Sequence, residues 1–94
     1  MIREEIFSRI IRMLKNQGAK KIGVFGSYVR GEESLNSDID VLVEFSDRKS
    51  LLDIVGIEQE LSDALEIKVD LLTEKSISPY LIDRIKREMV VIYG

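Results

Sequence analysis

The chain has 94 residues, with no cysteine and no histidine. That composition removes disulfides, thiolate and imidazole metal sites, Ser-His-Asp triads and Cys-His pairs, so any chemistry must use carboxylates, hydroxyls, Lys, Arg or a metal held by oxygen. A net charge of −3, from 14 basic and 17 acidic residues, suits nucleic-acid binding poorly, because phosphate contacts dominate such binding.

The length predicts one domain over 1–94 that buries roughly 65% of its unfolded surface, enough for a modest sheet with helices on it. No run approaches the ~18 apolar residues of a membrane span. The opening "MIREEIFSRIIRMLK" is charged throughout, unlike a signal peptide. With no cysteine, these features point to a cytoplasmic address.

Residues 2–17 carry Ile2, Ile6, Ile10, Met13 and Leu14 as a one-sided helical stripe, and Gly18 marks a stop. "KIGVFG" (21–26) reads as a buried strand ending in glycine. A turn-like or short helical stretch follows, punctuated by Gly31 and Asn36-Ser37. "DIDVLVEF" (38–45) is a second strand, with Ile39, Val41 and Val43 on one face and Asp38, Asp40 and Leu42 on the other. Ser50-x-x-Asp53 has the form of a capping box and opens a helix of about 14 residues to Leu65, with Leu51, Leu52, Val55, Leu61 and Leu65 as its stripe. "IKVDLLT" (67–73) is a third strand with Asp70 in its middle. Ser78-Pro79 supplies a cap and first-turn proline for a helix through Glu88, and "MVVIY" (89–93) is a fourth strand. The predicted class is α/β (α+β): a small mixed sheet of four strands with helices packed on it.

Asp38 and Asp40 are two residues apart on one strand, so both side chains leave the same face. Like charges that close repel, and a divalent cation converts the repulsion into coordination. All-oxygen ligation favours magnesium or manganese. A helical crossover commonly returns a parallel strand beside the first, which would set Asp70 next to Asp40. Three carboxylates on adjacent strands can hold two ions ~3.5–4 Å apart, the arrangement for in-line phosphoryl displacement. Upstream, Gly26 lets backbone approach a ligand, and Ser27 opens a turn whose free N–H groups and hydroxyl favour a triphosphate. Plainer readings stand beside these. Gly-Ser is often a simple turn, Asp-x-Asp a solvated strand end, Asp70 an edge-strand charge and Arg30 a solvated side chain. A calcium-binding loop is a third and disfavoured reading, because "DIDVLVEF" lacks the glycine and repeated oxygen ligands of an EF-hand and continues as an apolar strand.

Gly26-Ser27, ten residues, then Asp38-x-Asp40 resembles the signature of the DNA polymerase beta nucleotidyltransferase superfamily. "GSYVRGEESLNSDIDVLVEF" and "KVDLLT" are most similar to its minimal nucleotidyltransferases, over nearly the whole chain. The resemblance implies a nucleotidyltransferase core that transfers NMP, AMP from ATP foremost, to an acceptor hydroxyl with release of pyrophosphate. It implies that Asp38 and Asp40 bind two Mg2+ ions (or Mn2+), that Asp70 binds the ion activating the acceptor, and that Gly26, Ser27 and Arg30 hold the triphosphate. It further implies an antitoxin paired with a HEPN-family toxin, in a homo- or hetero-oligomer. Few aromatics and an acidic balance give no stacking platform for nucleic acid, which favours a protein acceptor. The competing expectation is a non-catalytic binding module that neutralises its partner by occlusion.

Overall fold

Helix α1 (Arg3–Asn16) forms where Ile6, Ile10 and Leu14 recur every fourth residue, and all three are buried. Glu4 and Glu5 in its first turn and Lys15 in its last complement the helix dipole. Gly18, at φ +90°, donates to the Lys15 carbonyl at 3.0 Å and ends the helix in the left-handed conformation that glycine adopts freely. Ile2, expected in the stripe, is 67% exposed. It is the N-cap residue, one position ahead of the first turn. The computed structural model describes residues 2–30 and 38–94, with the backbone alone at Ser27 and Arg30. The expected punctuation at Gly31 and Asn36-Ser37 lies outside the described residues.

After α1 come β1 (Ala19–Phe25), the single turn α2 (Ser27–Arg30), β2 (Ile39–Phe45), α3 (Leu51–Leu65) and β3 (Val69–Leu72). A 3-10 turn (Glu74–Ser76), α4 (Pro79–Glu88) and β4 (Val90–Tyr93) complete the order. The sheet runs β3-β2-β1-β4, and β1 is antiparallel to both β2 and β4. Strands β2 and β3 are parallel, as a crossover through α3 requires. The core lies between α1, α3 and one sheet face, where Ile10, Leu14, Ile22, Val41, Leu61 and Val69 are almost wholly buried. Each such side chain contributes about 1.5–3 kcal/mol by leaving water. Among the described residues, no helix is long and apolar enough to cross a membrane.

The stripe of α3 differs from the expected one. Leu61 and Leu65 are buried, but Leu51 is 79% and Leu52 83% exposed, and Val55 is also exposed. The buried line is Ile57, Leu61 and Leu65 at a spacing of four, continued by half-buried Ile54. Extended back towards the N-terminus, that line passes beside Ile54 and leaves Leu51, Leu52 and Val55 on flanking faces.

The second sheet face is more lightly covered. Alternation turns Leu42 towards it, and a Cβ at Gly23 would overlap the Met89 side chain. Methionine therefore fills the space that Gly23 leaves open.

The capping box at Ser50 forms in full. Asp53 N–H donates to Ser50 Oγ at 3.1 Å and Ser50 N–H donates to Asp53 Oδ2 at 3.0 Å. The second bond, with help from the Ser50 side chain, holds the Asp53 carboxyl below its ordinary range. A lowered folded pKa stabilises above the unfolded value, so the contribution is complete at neutral pH and is lost as pH falls through the lowered value. Ser50→Ala should cost about 1 kcal/mol, read as a melting temperature lower by roughly 4–8 °C. The deficit should shrink in acid.

Candidate active site

Three backbone placements bring the predicted residues to one end of the sheet. Strand β1 ends where β2 begins, with Phe25 paired to Asp40. Strand β3 begins beside β2, with Asp40 paired to Asp70. Neighbouring strands lie about 4.8 Å apart, so the two aspartates leave adjacent backbones in register and, by alternation, on one face. Ile39, Val41, Val69 and Leu71 alternate with them into the core, which fixes that orientation. A one-residue slip would bury the carboxylates and expose the core set.

Gly26 is more tightly specified than its turn alone requires. Its φ of +78° is a conformation that side chains disfavour. A Cβ built there would overlap Asp40 Oδ2 and lie 3.2 Å from its Cγ. The missing side chain therefore makes room first for the protein's own carboxylate. Ser27 opens α2 directly afterwards, and Val29 N–H closes the turn on the Gly26 carbonyl at 3.1 Å. Tyr28, buried in the main core, anchors that turn. For Ser27 and Arg30 only the backbone is described, so the expected phosphate roles of their side chains lie outside what is seen.

Gly26→Ala should lose roughly 1–3 kcal/mol of stability, because the left-handed backbone and the overlap with Asp40 act together. Transfer activity should fall with it. Thermal melting and a transfer assay on one preparation check both, and wild-type melting would show that the notch tolerates a methyl group.

Asp38 shares the strand face of Asp40 but turns to Lys68, with Oδ2 to Nζ at 3.8 Å. Both side chains are substantially exposed, so the pair is weak and yields readily to another cation. Among the described residues, no three acidic side chains lie close enough to hold a metal ion. The expected trio is thus an aligned pair, Asp40 and Asp70, with Asp38 drawn aside by a lysine from the segment before β3. The donor set still suits a hard divalent cation, being all carboxylate oxygen at one sheet end. Lys68 was not anticipated; its one signal is its position two residues before Asp70.

A cleft of about 500 Å³ lies elsewhere, lined by Phe45, Arg48, Lys49, Leu51, Ile54, Thr73 and Lys75. It sits towards the far end of β2, reaching back to Val43 but not to Asp40. Asp38, Asp40 and Asp70 do not line it, so the candidate site rests on residue type and strand register and not on concavity.

Comparison with known proteins gives an independent view. Residues 5–92 match the family described as nucleotidyltransferase domain. A Methanocaldococcus jannaschii protein named "Putative protein adenylyltransferase MJ0435" is 50% identical over 86 residues, covering 92% of each chain. Protein adenylyltransferase MntA of Thermococcus cleftensis is 41% identical over 75 residues, covering 80% of this chain and 76% of its own length. Among solved structures, a toxin–antitoxin with AMP-PNP superposes with a TM-score of 0.85 at 30% identity, over 94% of this chain and 73% of that one.

Proposed function

Because this chain belongs to the nucleotidyltransferase domain family, we propose that it transfers AMP from ATP to a hydroxyl of a partner protein, a HEPN-family toxin whose antitoxin it is. The observation that carries the reading is the register of Asp40 with Asp70, beside the Gly26-Ser27 turn. The relatives' names support adenylyl transfer, and the similarity to a solved MNT antitoxin in complex with a HEPN toxin supports such a partner.

The residues divide the work. Gly26 and Ser27 present backbone N–H groups to the triphosphate, with Arg30 as an added cation. Asp38 leaves Lys68 and joins Asp40 and Asp70 as an oxygen ligand. Two Mg2+ ions held there, or Mn2+, would screen the phosphates and make the acceptor hydroxyl more acidic. The acceptor oxygen bonds to the α-phosphorus as the bond to pyrophosphate breaks, and the hydroxyl proton is lost to solvent. Asp70, on its own strand, orients the acceptor side. The net charge of −3 favours a protein acceptor over an RNA or DNA end.

A second reading, neutralisation by occlusion, draws on the exposed Leu51, Leu52 and Val55 on α3, an apolar surface open to a partner. Asp38→Asn with Asp40→Asn separates the two. Under the transfer reading, cells expressing the toxin with this variant stop growing while those with the wild type survive. Equal rescue by both would establish occlusion instead.

A further inference from the structure

We propose that Glu58 and Ser62 are positioning residues for Asp70: from α3 they clamp the free edge of β3 on both sides of that carboxylate. The proposal rests on the assignment of Asp70 to the site. Strand β3 is an edge strand of four residues, bonded to β2 alone. In a parallel ladder alternate residues point their amides to the neighbour, so those of Val69 and Leu71 face outward. Neither is left to water. Val69 N–H donates to Ser62 Oγ at 2.9 Å, and Leu71 N–H donates to Glu58 Oε2 at 2.7 Å. Thr73 N–H, next in the series, donates to Ser76 Oγ at 3.2 Å.

The two amides flanking Asp70 are thus tied to one helix. Glu58 and Ser62 are four residues apart on α3, the spacing that stacks side chains on one face, and Ile57, Leu61 and Leu65 seat that helix in the core. The bond from Glu58 is charge-assisted and short, the stronger class. An unclamped four-residue edge strand frays easily, and fraying would move Asp70 out of register with Asp40. The same ties block the outer edge of β3 from pairing with another strand. Both side chains meet β3 at its outer edge, so they act on the site through the backbone and not as ligands.

The test uses Mn2+ alone as probe, read by paramagnetic broadening of amide resonances near Asp40 and Asp70, together with hydrogen exchange at Leu71. Glu58→Ala should weaken Mn2+ binding by about tenfold or more, the range for residues that orient metal ligands, and speed exchange at Leu71. Glu58→Gln keeps an acceptor oxygen and should recover affinity to within about threefold of wild type on the same scale. Ser62→Ala should act in the same direction and serves as the variant if Glu58→Ala does not fold. Ile10→Val trims the core under α1 and controls for lost stability; it should leave Mn2+ affinity unchanged. Wild-type affinity in Glu58→Ala, with loss in Asp70→Asn, would overturn the clamp and leave the site intact. Wild-type affinity in Asp70→Asn would overturn the site itself. Equal losses in Ile10→Val and Glu58→Ala would also overturn the clamp, by reducing its effect to stability.

Discussion

Asp70→Asn will abolish transfer to the partner while keeping magnesium–ATP affinity within about tenfold, or ~1.4 kcal/mol. The asymmetry follows from topology. Asp70 arrives on β3, a strand apart from the Gly26-Ser27 turn proposed to hold the phosphates. Its proposed task is to orient the acceptor, an interaction that matters most in the transition state. Removing such an interaction lowers the rate without a matching loss of ground-state binding. Calorimetry with magnesium–ATP reads the first half, and mass spectrometry of the partner reads the second. Wild-type transfer by Asp70→Asn would remove this residue from the mechanism.

Asp40→Asn should lose both halves. Asp40 is at the junction, paired with Phe25 across to β1 and with Asp70 across to β3, its carboxylate seated in the notch at Gly26. Magnesium–ATP affinity should fall by at least about tenfold, ~1.4 kcal/mol, and transfer should vanish. The metal-free protein should melt at the wild-type temperature or higher, since one of the two aligned negative charges is gone. Lost ATP binding with retained stability is the signature of a ligand. A large drop in melting temperature would instead make Asp40 a structural hub whose bonds hold the β1–β2 junction.

The sequence carried the order of elements, both Ser-capped helices and the strand alternation, because these rest on local chemistry: Ser50 with Asp53, Ser78 with Pro79, and Ile39-Val41-Val43 against Asp38-Asp40. The pairing of Asp40 with Asp70 followed from one topological rule. The remainder needed three dimensions. Apart from Asp53, the N-terminal part of α3 carries apolar residues on several faces, so periodicity could not choose between Leu51-Leu52-Val55 and Ile54-Ile57, and packing on the sheet decided. The turn of Asp38 towards Lys68 joins segments that local patterns do not connect. Glu58 and Ser62 read as ordinary polar helix positions until the edge of β3 lies beside them. Gly26 was legible as a close-approach glycine, but the group approaching it is Asp40.

The central claim, adenylyl transfer to a protein hydroxyl, is tested most directly by the intact mass of the proposed HEPN-family partner. The two proteins are incubated with ATP in magnesium and, separately, in EDTA. The account predicts a mass increase of one or more AMP groups in magnesium, none in EDTA, and none with Asp38→Asn plus Asp40→Asn. An unmodified partner in magnesium–ATP, or equal modification in EDTA, would contradict it.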